Sequence, residues 1–271
     1  MPGTAVHWVV PPEESSSAAS DATPSVVIGA IPARYASSRL NGKPLRPLAG
    51  RPLIEHVYRR ATEAARVDRI VVLTDDDRVA DAVREFGGTV QMTPVECASG
   101  TDRIAWAARD WPTDAAVINI QGDEPLIDPT AIDRIAAHLC ESPADPMVTL
   151  ATAADPEDAE NPDVVKVVVD RQGYALYFSR SAIPYPRSPQ DATASRHIGI
   201  YGYQMAALRR LAELEPTPLE RSESLEQLRA LENGISIRVL LAAHAWAGVD
   251  TMEDLARVET LLTRGGSATS E

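Results

Sequence analysis

The segment Ile31-Pro32-Ala33-Arg34-Tyr35-Ala36-Ser37-Ser38-Arg39-Leu40-Asn41-Gly42-Lys43-Pro44-Leu45 places small residues and three cations directly after an apolar run. Small residues let backbone N–H groups approach phosphate oxygens closely. Arg34, Arg39 and Lys43 add the positive charge that a triphosphate needs for binding and for stabilising a departing pyrophosphate. Taken alone, the same segment reads equally as a solvated surface loop with ordinary cations. It matches neither the Walker pattern nor Gly-x-Gly-x-x-Gly.

A second segment, Val117-Ile118-Asn119-Ile120-Gln121-Gly122-Asp123-Glu124-Pro125, sets an acidic pair at the end of an apolar strand. In open α/β sheets that position faces the ligand crevice. Gly122 allows an unusual backbone angle, and Asp123 offers a hard oxygen ligand of the kind magnesium prefers; the plainer reading is a turn acid bonded to its own backbone. Gly248-Val249-Asp250-Thr251 repeats the logic far along the chain, where Asp250 precedes a helix and also reads as its cap.

These residues need a frame. From Val26 onward, β-branched runs alternate with helical patterns: 26–31, 69–73, 89–92, 115–120 and 147–150. That is strand and crossover helix in a mostly parallel sheet, with strands buried on both faces. Leu53, Val57 and Ala61 recur on one helical face after Pro52; Val79, Val83 and Phe86 form another that stops at Gly87-Gly88. After Asp155 the rhythm changes. Runs at 164–169 and 174–178 flank the turn Asp170-Arg171-Gln172-Gly173, and another follows at 198–203, so 155–203 is expected to be an antiparallel insertion. A helix with Leu225, Leu228 and Leu231, a strand at 235–241 and a helix opened by the capping-box-like Thr251-Met252-Glu253-Asp254 complete the pattern.

Composition narrows the function classes. A chain of 271 residues, 44% hydrophobic and 24% charged, suits a globular α/β domain, and no run of eighteen apolar residues suggests a membrane span. The net charge of -13 argues against nucleic acid or an anionic bilayer as partner, whereas a small anion needs only a local basic cluster. Cys97 and Cys140 form neither a disulfide framework nor a metal-ligand spacing, which fits a reducing cytoplasm. Residues 1–24, rich in Ser, Ala, Glu and Pro, are expected to be a disordered tail, the domain to cover 25–264, and 265–271 to be flexible.

The three segments, together with Ser99-Gly100-Thr101-Asp102-Arg103, Asn161 to Val168, Tyr174 to Arg180, His197 to Tyr203 and Leu225 to Arg229, resemble the 3-deoxy-manno-octulosonate cytidylyltransferases in order and spacing. The likeness spans about 26–263. It implies an α/β nucleotidyltransferase fold, a homodimer, Mg2+ dependence, and transfer of CMP from CTP to an eight-carbon ulosonic acid (Kdo). By position, Arg34 and Lys43 resemble the triphosphate-binding residues, with Arg39, Ser99, Gly100 and Thr101 near the nucleotide and Gln121 lining the reaction centre. Asp123 and Asp250 resemble the metal-binding aspartates. Arg180, His197, Tyr201, Glu226 and Gln227 fall in strings that resemble the sugar-acid pocket. Their plainer readings are a strand-end surface residue, a sheet histidine, packing, and a solvated helix face.

The chain departs from that pattern at Asn41, Cys97 and Gln204, where Pro, His and Arg are usual in the family. Cys97 and Gln204 are expected near the substrate strings. Two alternatives remain open: the same chemistry on another ulosonic acid, of 8-amino or sialic type, or a catalytically silent nucleotide-binding homologue.

Overall fold

The computed structural model describes residues 23–36, 40–188 and 194–265. Residues 1–22 of the expected tail, Arg39, and residues 266–271 of the expected flexible end lie outside them. Strand β1 (Val27–Pro32) leads to a small antiparallel hairpin of β2 (Pro47–Leu48) and β3 (Arg51–Pro52). Then α1 (Leu53–Thr62), β4 (Arg69–Thr74), α2 (Asp77–Glu85) and β5 (Val90–Met92) repeat the strand and crossover pattern. Next come α3 (Gly100–Ala107), β6 (Ala116–Asn119), α4 (Pro129–Glu141), β7 (Met147–Ala153) and the short α5 (Pro156–Glu160). Strands β8 (Lys166–Val169), β9 (Ala175–Ser179) and β10 (Ser195–Gln204) follow, then α6 (Met205–Glu213), α7 (Pro218–Glu223), α8 (Gln227–Glu232), β11 (Ile237–Leu241) and α9 (Met252–Gly265).

The main sheet runs β11-β7-β10-β6-β1-β4-β5. Its neighbours are parallel except where β10 lies antiparallel to both β7 and β6. The run of apolar residues along each strand follows from burial on both faces. In β1, Val27 and Ile31 join the core under α1 and α4, while Ile28 and Ala30 join the one under α3 and α6. Ala116 and Ile118 of β6 face the first core and Val117 the second. Each fully buried Ile or Val contributes about 1.5–3 kcal/mol relative to an exposed one, so the doubly covered strands are the rigid platform of the fold.

The antiparallel segment expected over 155–203 is two structures. Strands β8 and β9 form a hairpin whose turn is set by the Asp170 carboxylate, which accepts from Gln172 N at 2.8 Å and Tyr174 N at 2.9 Å. Strand β10 is central instead. Side chains alternate between its faces, so Ile198 and Ile200 enter the first core and Tyr203 the second, and the register shift between Ile198 and Tyr201 leaves that alternation unchanged. Helix α9 opens as its sequence suggests: Asp254 N donates to Thr251 Oγ1 at 3.1 Å, and Thr251 N donates to Asp254 at 3.0 Å.

Candidate active site

The loop after β1 is shaped by one close approach. Gly42 N donates to Tyr35 O at 2.9 Å, and Gly42 adopts a left-handed φ of 67° with its Cα against the Tyr35 ring, where an added Cβ would sit 3.1 Å from the aromatic carbons. The next residue, Lys43, opens a single 3-10 turn anchored by buried Pro44. Lys43 Nζ lies 2.8 Å from Asp123 Oδ2 and 2.8 Å from Asp250 Oδ1.

Both aspartates reach that point for local reasons. Past the end of β6, Gly122 lies so close to β1 that an added Cβ would meet Pro32 O at 2.7 Å. This brings Asp123 to the mouth of the phosphate loop. Asp250 arrives from the other direction because Val249 N donates to Asp123 O at 2.9 Å and the Val249 side chain is buried. The capping role open to Asp250 belongs to Thr251 and Asp254, which leaves the Asp250 carboxylate beside Lys43.

The two carboxylate oxygens are therefore no farther apart than twice 2.8 Å, with one cation in reach of both. Burial opposes the charge on Lys43, but the ion pairs and hydrogen bonds with Asp123 and Asp250 outweigh it and hold its pKa above the ordinary lysine value. Among the described residues no group of three or more His, Cys, Asp or Glu is placed to hold a metal. Two carboxylates converging on one cation nonetheless fit magnesium, which takes its other ligands from phosphate and water. Glu124 is turned away: Trp246 Nε1 donates to its Oε2 at 2.7 Å, and burial, then the charge of Asp123, push its pKa up to about 8.

A second part of the site lies at the N-terminus of α3. Ser99 and Asp102 form a reciprocal capping box, which fixes Gly100 and Thr101 in the first turn. Arg34 reaches this side, donating from Nη2 to Cys97 O at 2.7 Å. A cavity of about 120 Å³ opens here between Gly100, Thr101, Gln121, Tyr201, Glu226 and Gln227. It joins expected nucleotide and sugar residues in one space. Gln121 is pinned across it, with Nε2 donating to Gly199 O at 2.9 Å. Asn119 and Tyr203 also line the cavity and were not anticipated; as alternating strand residues they carry no local signal of the pocket. Asn119 Oδ1 and Glu226 Oε1 are buried without a hydrogen-bond partner, so the cavity presents acceptors that a donor-rich occupant would satisfy. Burial raises the Glu226 pKa, opposed mainly by the Thr101 hydroxyl.

His197 and Arg180 do not line that cavity. The His197 ring packs on Tyr201 at 5.4 Å and edge-on to Phe178 at 5.0 Å, and its Nε2 is 3.0 Å from Thr149 Oγ1. Burial lowers its pKa to about 3, so the ring is neutral near pH 7. Arg180 follows β9 and donates to Glu223 O at 2.9 Å and Pro162 O at 3.0 Å. Gln204, expected near the substrate, lies at the opposite end of the sheet: it pairs with Ala116, where β6 begins, and its side chain donates to Leu139 O at the end of α4. The antiparallel course of β10 beside β6, invisible in the sequence, puts it there. Cys97 does sit at the site end, as the carbonyl partner of Arg34.

A family model described as cytidylyltransferase matches residues 28–237. The chain belongs to the cytidylyltransferase family. This cytidylyltransferase is 51% identical to the 3-deoxy-manno-octulosonate cytidylyltransferase of Syntrophotalea carbinolica over 246 residues, 87% of this chain and 98% of that one. It is 44% identical to a mitochondrial enzyme of the same name from Arabidopsis thaliana, covering 88% of this chain and 83% of the relative. Among solved structures, a CMP:2-keto-3-deoxy-manno-octonic acid synthetase complexed with CTP superposes with a TM-score of 0.85 at 43% identity, over 89% of this chain and all of that one. A cytidylyltransferase from Leptospira borgpetersenii, at 17% identity and a TM-score of 0.60 over 88% of this chain and 87% of the other, shares the fold.

Proposed function

We propose that this cytidylyltransferase transfers CMP from CTP to the anomeric hydroxyl of 3-deoxy-D-manno-octulosonate, releasing pyrophosphate. The carrying observation is the Lys43, Asp123 and Asp250 cluster at the strand ends of a chain whose near-full-length relatives bear that activity in their names. The bond from the hydroxyl oxygen to the α-phosphorus forms as the bond to the pyrophosphate oxygen breaks, with loss of the hydroxyl proton. No covalent enzyme intermediate is required.

Each side chain has a task in this scheme. Lys43 and Arg34 hold the departing pyrophosphate, where charge accumulates in the transition state. Gln121, fixed by Gly199, orients reactants between the nucleotide side and the sugar side of the cavity. Tyr201, Glu226 and Gln227 offer the polyol hydrogen-bonding partners, and Arg180 offers the sugar carboxylate a guanidinium edge. Asp123 and Asp250 would hold magnesium, which when bound neutralises phosphate oxygens and acidifies the nucleophilic hydroxyl.

Two wider features complete the reading. Val169, Leu176 and Tyr185, on and beyond the β8–β9 hairpin, are apolar side chains exposed by 43%, 62% and 84%, which a second copy would cover in a homodimer. A cytoplasmic setting rests on Cys97 and Cys140 being unpaired thiols. The deciding experiment is pyrophosphate release from CTP with magnesium and a panel of ulosonic acids. Release with Kdo well above the other acids supports the assignment; no release with Kdo overturns it.

A further inference from the structure

Arg180 is fixed through its main chain as well as its side chain. The Glu223 carboxylate, 43 positions away, accepts from Arg180 N at 3.0 Å and from Ser179 Oγ at 2.6 Å. The Glu223 carbonyl accepts from Arg180 Nε at 2.9 Å, and Pro162 O takes Nη1 at 3.0 Å. From the other side the fully buried Lys166 donates from Nζ to Arg180 O at 2.5 Å, with Asn161 O and Val164 O as its other acceptors at 2.8 and 2.7 Å. Burial works against the Lys166 charge, opposed by the nearby Glu160 and Glu223 carboxylates, while the three carbonyls take its protons.

We propose that Glu223 is a positioning residue for the sugar acid, acting through Arg180, with Lys166 as the opposing anchor. The inference rests on the reading of Arg180 as the partner of the substrate carboxylate. Nε and one Nη1 hydrogen are held by backbone oxygens, which fixes the guanidinium plane while Nη2 and the remaining Nη1 hydrogen form the edge that a carboxylate takes bidentately. The residue after Glu223 supplies independent support. Ser224 adopts a left-handed conformation, φ 53° and ψ 48°, which a non-glycine residue holds only where its surroundings enforce it. That turn sets the Glu223 carbonyl on Arg180 and starts the segment carrying Glu226 and Gln227 into the cavity. Glu223 thereby couples the two parts of the sugar side.

The test measures the KM of each substrate separately in full-length Glu223→Gln, Ser179→Ala and Arg180→Gln proteins. In Glu223→Gln an amide replaces an acceptor facing three donors, Arg180 N, Ser179 Oγ and the Tyr177 hydroxyl, and the KM for Kdo is expected to rise about tenfold or more with the KM for CTP within about twofold. Ser179→Ala should move the same constant in the same direction by less, and it carries the test if Glu223→Gln does not fold. Glu223→Gln added to Arg180→Gln should produce little further change, because the two act as a unit. If Arg180→Gln leaves the KM for Kdo unchanged, the reading of Arg180 fails and the proposal with it. If Arg180→Gln raises it while Glu223→Gln and Ser179→Ala spare it, or shift both substrates equally, the positioning role alone is overturned.

Discussion

Lys43 and Asp250, 207 positions apart in the chain, meet at 2.8 Å, and the same ammonium is 2.8 Å from Asp123. A lysine assigned by sequence to the triphosphate thus occupies the place between two carboxylates assigned to a metal. Under the proposed function the two assignments describe one exchange, in which incoming phosphates would draw Lys43 toward themselves as magnesium took over the carboxylates.

That exchange predicts the behaviour of the protein without nucleotide. Lys43→Met removes the positive charge held between Asp123 and Asp250, so manganese should bind it more tightly than wild type, on the order of tenfold for the loss of one nearby charge in a partly exposed site. Titration followed by electron paramagnetic resonance reads this directly. Equal affinities would remove the exchange.

Asp123→Asn and Asp250→Asn should each lower turnover by on the order of a hundredfold, the cost of one preorganised electrostatic group, while circular dichroism stays unchanged. Added magnesium should partly restore the weaker variant. Wild-type turnover in either would exclude that residue from the reaction.

Gly122→Ala puts a methyl group 2.7 Å from a backbone oxygen, Pro32 O, which cannot rotate away as a side chain would. A destabilisation of about 1–3 kcal/mol is expected, together with lower turnover because Asp123 is displaced. An unchanged melting midpoint would show that the strand ends yield more freely than their packing indicates.

His197 predicts a pH dependence of stability. Burial depresses its folded pKa to about 3 from 6.5, so between those values the unfolded state binds the extra proton. Its contribution is present above pH 6.5 and is lost as pH falls toward 3. Urea midpoints should therefore decline more steeply over that window in wild type than in His197→Asn, and parallel curves would contradict it.

CTP should be strongly preferred over ATP and GTP, with UTP the best competitor, because a pyrimidine pocket excludes purines and leaves its own polar groups unpaired with the wrong base. Comparable kcat/KM for ATP and CTP with the same sugar acid would sink the nucleotide assignment.

Much of this was legible in the chain because the signals are local. Val27, Ile28, Ala30 and Ile31 announce a doubly buried strand whatever they pair with, and Thr251 and Asp254 announce a helix start four residues at a time. What depended on distant pairing was not. The central position of β10 and its antiparallel course follow from its pairing with β7 and β6, so Gln204 was expected at the wrong end of the sheet. Helix α3 hid its cap in a string read only as nucleotide contacts, although Ser99 and Asp102 have the spacing of a capping box. Glu223 gave no signal at all, since its partners Ser179 and Arg180 lie on another element.

The hydrogen bond from Val249 N to Asp123 O sets an order of assembly. During synthesis β7 can join the earlier strands only once β10 has emerged to lie between it and β6, and Asp250 enters later still, after β11 has been made. A chain released before that point would hold a folded platform, a phosphate loop and Asp123, yet Lys43 would face a single carboxylate. Under the proposed function such a copy lacks one of the two carboxylates that would hold magnesium.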